Sequence, residues 1–297
     1  NSVNGIREFA SSKGACVQYV PVGFPDLRLE QQSLDKVLDS ADKSAKNLFA
    51  FPAQSNFSGV KHPLSWIEYA QKKGWDVLLD AAAFVPANRL DLNEINPDFV
   101  CISFYKMFGY PTGIGMLLIL NSSFEKLERP WFAGGTVNFA SVQGNNHYLA
   151  GNEAAFEDGT INYLNIPAVK IGLLHLEKVG MESIAIRVNE LTAWILKKLF
   201  SLKHSNGKPM VRIYGPADME DRGGTVTFNL YSPEEHLLDY RRIEELANVE
   251  GISLRTGCFC NPGAGETAEG LTLEDMQAAF KEGDDISLPR FVQIIQH

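Results

Sequence analysis

Three short runs, Asn47–Phe51, Trp75–Leu79 and Phe99–Ser103, are apolar at nearly every position rather than at every second one. A strand with one solvated face alternates in polarity, whereas one that does not alternate needs cover on both faces. An amphipathic stretch over about Leu64–Lys73, carrying Leu64, Ile67, Tyr69 and Ala70 and stopped by Gly74, lies between the first two runs. It reads as a crossover helix. A strand over Ala15–Val20, a short helix around Ser33–Ser40 and a strand over Gly113–Leu120 complete a β-α-β rhythm. The order predicts an α/β fold with a mostly parallel sheet covered on both faces.

Beyond Pro167 the pattern changes. A long helical stretch covers about Ala168–Leu202, broken near Gly180, with Ile184, Val188, Leu191, Ile195 and Leu199 spaced as one buried stripe. After the turn-rich Ser205–Pro209 come strands Val211–Tyr214 and Gly224–Leu230, helix Asp239–Val249 and strand Ile252–Arg255. Gly263–Glu269 reads as an exposed loop. The expected division is a large domain over 1–166, then a connecting helix and a smaller α+β domain over 167–297.

Composition narrows the partners. The 27 basic residues against 36 acidic ones include no Lys/Arg block, so nothing points to nucleic acid or an anionic membrane. Runs such as Gly115–Leu120 and Val292–Ile295 are too short to span a bilayer. The six histidines make no metal-ligand spacing. Four cysteines, two of them in Cys258-Phe-Cys260, are too few to staple a chain of 297 residues, which points to a reducing, cytoplasmic setting.

Three residues end apolar runs with reactive groups. Asp80 closes Trp75–Leu79 and precedes Ala81, Ala82 and Ala83, residues too small to block a ligand; it is either a ligand carboxylate at the strand's carboxyl end or a turn-capping aspartate. Lys106 follows Phe99–Tyr105 and leads into a Gly/Pro-rich loop. It is either a desolvated nucleophile or a lysine snorkelling to the surface. A carboxylate and a lysine at the ends of successive strands match what pyridoxal phosphate needs, one for the ring nitrogen and one for the aldehyde. Arg255 ends a third run and turns into Cys258, Cys260 and Asn261-Pro-Gly263, where a guanidinium can hold a carboxylate bidentately and a thiol is exposed enough to react.

The segments Leu79–Pro86, Ser103–Gly113, Phe156–Thr160 and Leu254–Gly263 together resemble the class V aminotransferase-type, fold-type I pyridoxal phosphate enzymes. Within them they are most similar to the cysteine desulfurase group and the desulfurase domain of molybdenum cofactor sulfurases. The resemblance implies that Lys106 condenses with the cofactor aldehyde, that Asp80 pairs with the pyridinium nitrogen, and that Ala82 lies against the cofactor. It further implies that Asn56 contacts the ring oxygen, Ser103 the phosphate, and Thr160 the phosphate of a neighbouring subunit, hence a homodimer. Arg255 would hold the substrate carboxylate. Cys260, five residues later, would be the sulfur carrier in preference to Cys258.

The implied reaction removes sulfur from L-cysteine, leaving alanine and an enzyme persulfide for an acceptor, either the molybdenum cofactor or a protein. Two alternatives remain: a class V aminotransferase or lyase acting on another small amino acid, and a catalytically silent member or sulfur-relay partner. Ala83 and Tyr105 stand where many desulfurases carry glutamine and histidine, and Gly265 where the sulfurase-like branch often has a third cysteine. The resemblance also implies further chain before Asn1 and a closing strand and helix after His297.

Overall fold

The computed structural model describes residues 2–110, 112–281, 283, 286, 287 and 290. The Val292–Ile295 run lies outside them, as do the other residues of 291–297.

Helix α1 (Ser2–Ser12) opens the chain. Ala15–Val20, expected as a strand, joins no sheet among the described residues; Val20 instead packs on the core. The two-residue strands β1 (Val22–Gly23) and β2 (Arg28–Leu29) form a small hairpin before α2 (Gln31–Asp39). Next come β3 (Leu48–Pro52), α3 (Trp66–Lys72), β4 (Asp76–Asp80), β5 (Phe99–Ser103), α4 (Phe104–Phe108) and β6 (Gly115–Ile119).

The sheet order is β3-β4-β5-β6. The first three strands run parallel, with Pro52 opposite Asp80 and Asp80 opposite Cys101, while β6 returns antiparallel with Gly115 opposite Ser103. Leu34 and Leu38 of α2 and Trp66, Ile67 and Ala70 of α3 pack with Phe49, Phe51, Val77, Leu79 and Val100 in one core. Each fully buried leucine contributes about 1.5–3 kcal/mol.

Burial alternates along β3 and β4: Phe49, Phe51, Val77 and Leu79 are enclosed, while Ala50 and Leu78 are half-buried. The expected cover on both faces is met by α2 and α3 on one face, while Ala50 and Leu78 on the other are half-buried. Both faces are apolar, which is why the sequence does not alternate, but α2 and α3 close only one of them.

Helix α5 (Asn121–Phe124) leads to the hairpin of β7 (Val137–Ser141) and β8 (Asn146–Leu149), whose mixed polar and aromatic residues carry no clear strand signal. The long helix is split, as expected, into α6 (Ile166–Val179) and α7 (Met181–Ser201) by Gly180, whose φ is 88°. The buried stripe of α7 needs correction. Leu191 and Ile195 are exposed, and Thr192 and Leu196 face inward, because the enclosed positions follow an i, i+4 line from Val188.

Strands β9 (Val211–Tyr214) and β10 (Thr227–Leu230) pair antiparallel. Helix α8 (Tyr240–Val249) follows, capped by the Asp239 side chain. Ile252–Arg255 is not a strand and has no strand partner among the described residues. Gly263–Glu269 is not a loop but most of α9 (Pro262–Glu269). Asn261 caps it, Pro262 sits in its first turn, and Ala264, Gly265 and Ala268 are buried. Helix α10 (Leu273–Phe280) starts with a capping box between Thr272 and Asp275.

The segment after β3 is joined to the β9–β10 region 160 residues later. Val60 bridges to Arg222, Gly223 N donates to Gly59 O at 2.8 Å, and Thr227 Oγ1 donates to Phe57 O at 2.7 Å. Gly59 has φ +76°, and a Cβ there would lie 2.6 Å from Thr225 O, so only glycine fits this joint.

Candidate active site

The parallel strands β3, β4 and β5 end together, and in open α/β sheets the carboxyl ends of strands face the ligand crevice. Asp80 is the last residue of β4 and is half-buried. Its Oδ1 accepts a hydrogen bond from Ala82 N at 3.0 Å, while Ala81 N donates to Cys101 O at 3.0 Å. The turn-closing reading of Asp80 is what this bond shows: one oxygen closes the turn, and the residue stands at the carboxyl end of β4. Ala81 and Ala82 are buried and present only methyl groups there. On the adjacent strand, burial and then the Asp80 charge push the Cys101 thiol up, which makes it a poor nucleophile.

Strand β5 stops at Ser103, where its pairing with Gly115 ends and the chain coils into α4. The Ser103 hydroxyl makes no capping bond to that helix. Lys106 thus lies within the one-turn helix α4, not at the strand end as the sequence suggests, and it is exposed while Phe104 of the same helix is buried. Its Nζ stands 6.0 Å from the Tyr105 ring centre and makes no hydrogen bond or ion pair among the described residues. Helix α4 ends at Gly109 in the left-handed conformation. It is seated from behind by α6, where a Cβ on Gly172 would lie 2.5 Å from the Phe108 ring. The bare backbone of Gly172 is what lets the lysine-bearing helix approach.

Asn56 links this edge to a distant loop. Its Nδ2 donates to Phe259 O at 2.6 Å and its Oδ1 accepts from Asn261 Nδ2 at 3.2 Å. The rings of Phe57 and Phe259 lie 5.6 Å apart in the same contact. The tethered loop is a tight turn in which Asn261 N donates to Cys258 O at 2.9 Å, with φ of 53° at Phe259 and 61° at Cys260. Arg255 Nη2 donates to Cys260 Sγ at 3.8 Å, so a guanidinium charge stands beside that sulfur. Arg255, Cys258 and Cys260 are all exposed.

The structure thus brings Asn56, Asp80, Ala82, Ser103 and Lys106 to one sheet edge and ties the Arg255–Cys260 loop to it through Asn56. Thr160 is separate. It is exposed, after Gly159, whose amide donates to Gly134 O at 2.7 Å, and among the described residues no hydrogen bond joins it to the edge. Sequence reasoning missed Asn261, which serves both as tether and as cap of α9. The Asn-Pro pair, a capping residue followed by a first-turn proline, was the available signal. Gly172 carried none.

Residues 2–271 match the family model described as aminotransferase class-V. The chain is 39% identical over 308 aligned residues to a molybdenum cofactor sulfurase of Bos taurus, covering 97% of this chain but 34% of that protein. It therefore spans about a third of the curated relative's length. Among solved structures, the apo cysteine desulfurase of Thermococcus onnurineus superposes with a TM-score of 0.73 at 24% identity, covering 88% of this chain and 61% of that one. A C-DES variant described as having glycine covalently linked to its PLP cofactor superposes with a TM-score of 0.67 at 20% identity, over 85% of this chain and 63% of that one. These structures share the fold: the α/β class expected from the strand pattern and the fold-type I architecture that the motif resemblance implies. The chain belongs to the aminotransferase class-V family.

Proposed function

We propose that the protein is a pyridoxal 5'-phosphate-dependent cysteine desulfurase that transfers the sulfur of L-cysteine to Cys260. The observation carrying this reading is the shared edge: Asp80 and Ser103 end the adjacent strands β4 and β5, Lys106 follows Ser103 on α4, and Asn56 holds the turn with Cys260 beside them. The donor set fits the cofactor. Asp80 spends one oxygen on its own turn, the Ser103 hydroxyl caps nothing, Lys106 Nζ is uncommitted among the described residues, and methyl side chains line the approach.

Bound there, pyridoxal phosphate supplies an electron sink for the electron pair left on the substrate Cα. Asp80 would keep the ring nitrogen protonated, Ser103 would hold the phosphate, Ala82 would leave room for the ring, and Asn56 would offer its remaining amide hydrogen to the ring oxygen. Lys106 would be the amine that holds the cofactor at its aldehyde and would move protons to and from the substrate Cα. Arg255 pairs with the substrate carboxylate. Cys260 attacks the substrate sulfur; the new S–S bond forms as the substrate's C–S bond breaks, and alanine leaves with the proton delivered by Lys106.

Thr160, exposed and away from its own sheet edge, suits a phosphate contact in a second copy, hence a homodimer. The names of the curated relatives support the molybdenum cofactor, or a protein that carries it, as the sulfur acceptor. No described helix is long and apolar enough to cross a membrane. None of the four cysteines is in a disulfide, consistent with the proposed cytoplasmic setting.

The test is cofactor binding followed by turnover in the full-length protein. Wild type acquires the visible absorbance of bound pyridoxal phosphate and releases alanine from L-cysteine, and Lys106→Ala loses both. Absence of that absorbance in wild type refutes the reading. An aminotransferase or lyase without a persulfide is the answer if Cys260→Ser releases sulfide as fast as wild type.

A further inference from the structure

Cys258 has no role in the reaction as proposed, yet it is exposed and lies two residues from Cys260 in a folded turn. The Asn261–Cys258 hydrogen bond, with positive φ at both Phe259 and Cys260, follows the pattern of a type I′ turn. Such a turn folds the chain back at this point instead of sending the two cysteines along an extended strand. On its other side Cys258 faces α9. A Cβ at Gly265 would lie 3.0 Å from Cys258 Cβ, so glycine at 265 leaves the cysteine its place against the helix. The two thiols are also placed differently. Arg255 Nη2 reaches Cys260 Sγ, and among the described residues no such cation contact is made to Cys258.

We propose that Cys258 is the resolving thiol for the Cys260 persulfide, an inference that rests on the reading of Cys260 as sulfur carrier. The Cys258 thiolate attacks Cys260 Sγ. The Cys258–Cys260 S–S bond forms, the bond from Cys260 Sγ to the terminal sulfur breaks, and its electron pair leaves on hydrosulfide. No external oxidant enters, because the persulfide already holds the oxidising equivalents. The product is an exposed disulfide in a tight turn, the kind that a dithiol reductant reopens readily. Sulfur that finds no acceptor is released, and the nucleophile stays blocked until that reductant restores it.

The full-length protein tests this in two arms, both without added thiol. One loads Cys260 by turnover of L-cysteine; the other uses a low-molecular-weight alkyl persulfide, independently of catalysis. Each sample is alkylated, digested and weighed. Wild type is expected to yield the internally disulfide-bonded Cys258–Cys260 peptide with an equal amount of hydrosulfide. Cys258→Ser is expected to retain the alkylated persulfide on Cys260 and to lose hydrosulfide release until a dithiol is added. Hydrosulfide release from Cys258→Ser as fast as from wild type overturns the proposal, as does a wild-type persulfide at Cys260 beside an alkylated Cys258. If turnover leaves Cys260 unmodified while the donor-loaded protein forms the disulfide, the desulfurase reading falls and the resolving role of Cys258 stands.

Discussion

Replacing Asn261 separates two functions that one side chain performs. Its Oδ1 accepts from Ala264 N at 3.3 Å and caps α9, while its Nδ2 donates to Asn56 Oδ1 at 3.2 Å and ties the Cys258–Asn261 turn to the sheet edge. Loss of an N-cap costs about 0.5–2 kcal/mol, and loss of a hydrogen bond about 0.5–1.5 kcal/mol. Asn261→Ala is therefore expected to loosen the turn and the first turn of α9 by about 1–3 kcal/mol, which corresponds to roughly 5- to 150-fold in a local opening equilibrium.

Hydrogen exchange reads this at the Ala264 amide, and the alkylation rate of Cys260 reads the turn. Asn261→Asp keeps the cap, since aspartate caps as well as asparagine. It loses the donor and sets a carboxylate against Asn56 Oδ1. Its Ala264 amide should stay protected while Cys260 alkylation still accelerates. Unchanged exchange in Asn261→Ala, or equal loss of Ala264 protection in both variants, would refute the division of labour.

Gly172→Ala drives a methyl into the Phe108 ring and displaces α4 from behind, so retention of cofactor should fall along with a stability loss of about 1–3 kcal/mol; cofactor retained at wild-type strength contradicts the seating of Lys106 by α6. Gly59→Ala should cost about 1–3 kcal/mol in thermal or denaturant unfolding from its left-handed φ alone, and more from the contact with Thr225 O. Acid should destabilise the fold in two windows. Burial, reinforced by Arg28, holds the His62 pKa below 6.5, so the unfolded chain binds the proton first and stability falls as pH drops through about 6.5; His62→Gln removes that slope. Burial works against ionised Asp98, but hydrogen bonds from Ser123, Gln71 and the Val77 amide outweigh it and hold its pKa below 3.8. Its contribution is present above pH 3.8 and is lost as pH falls through the lowered folded value, which a pH series of unfolding curves with Asp98→Asn checks.

The sheet and its edge were legible because each element carries its own signal. Apolar runs marked β3, β4 and β5, Gly74 and Gly180 marked helix ends, and Asp80 and Ser103 fell where the runs stop. Ala15–Val20 and Ile252–Arg255 have strand-forming composition but no strand partner among the described residues, and pairing is a property of neighbours that local sequence does not contain. Gly263–Glu269 looked like a loop because glycines and a proline dominate it. In the structure Pro262 starts a helix, Asn261 caps it, and Gly265 is buried beside Cys258. The apolar run places Lys106 at the end of β5, but the run does not show that the strand stops at Ser103 and that the lysine rides on α4, exposed. The link between Asn56 and Phe259, 203 residues apart, was beyond any local pattern.

The central claim is that Cys260 accepts sulfur from L-cysteine at the edge formed by Asp80, Ser103 and Lys106. A single-turnover reaction of the cofactor-loaded full-length protein with L-cysteine, quenched by alkylation and followed by peptide mass spectrometry and alanine analysis, tests it directly. The account predicts one alanine for each sulfur recovered on Cys260 or released from it through Cys258, and neither product from Lys106→Ala. Alanine formed in wild type while Cys260 stays an unmodified thiol, with no sulfide released, would contradict it.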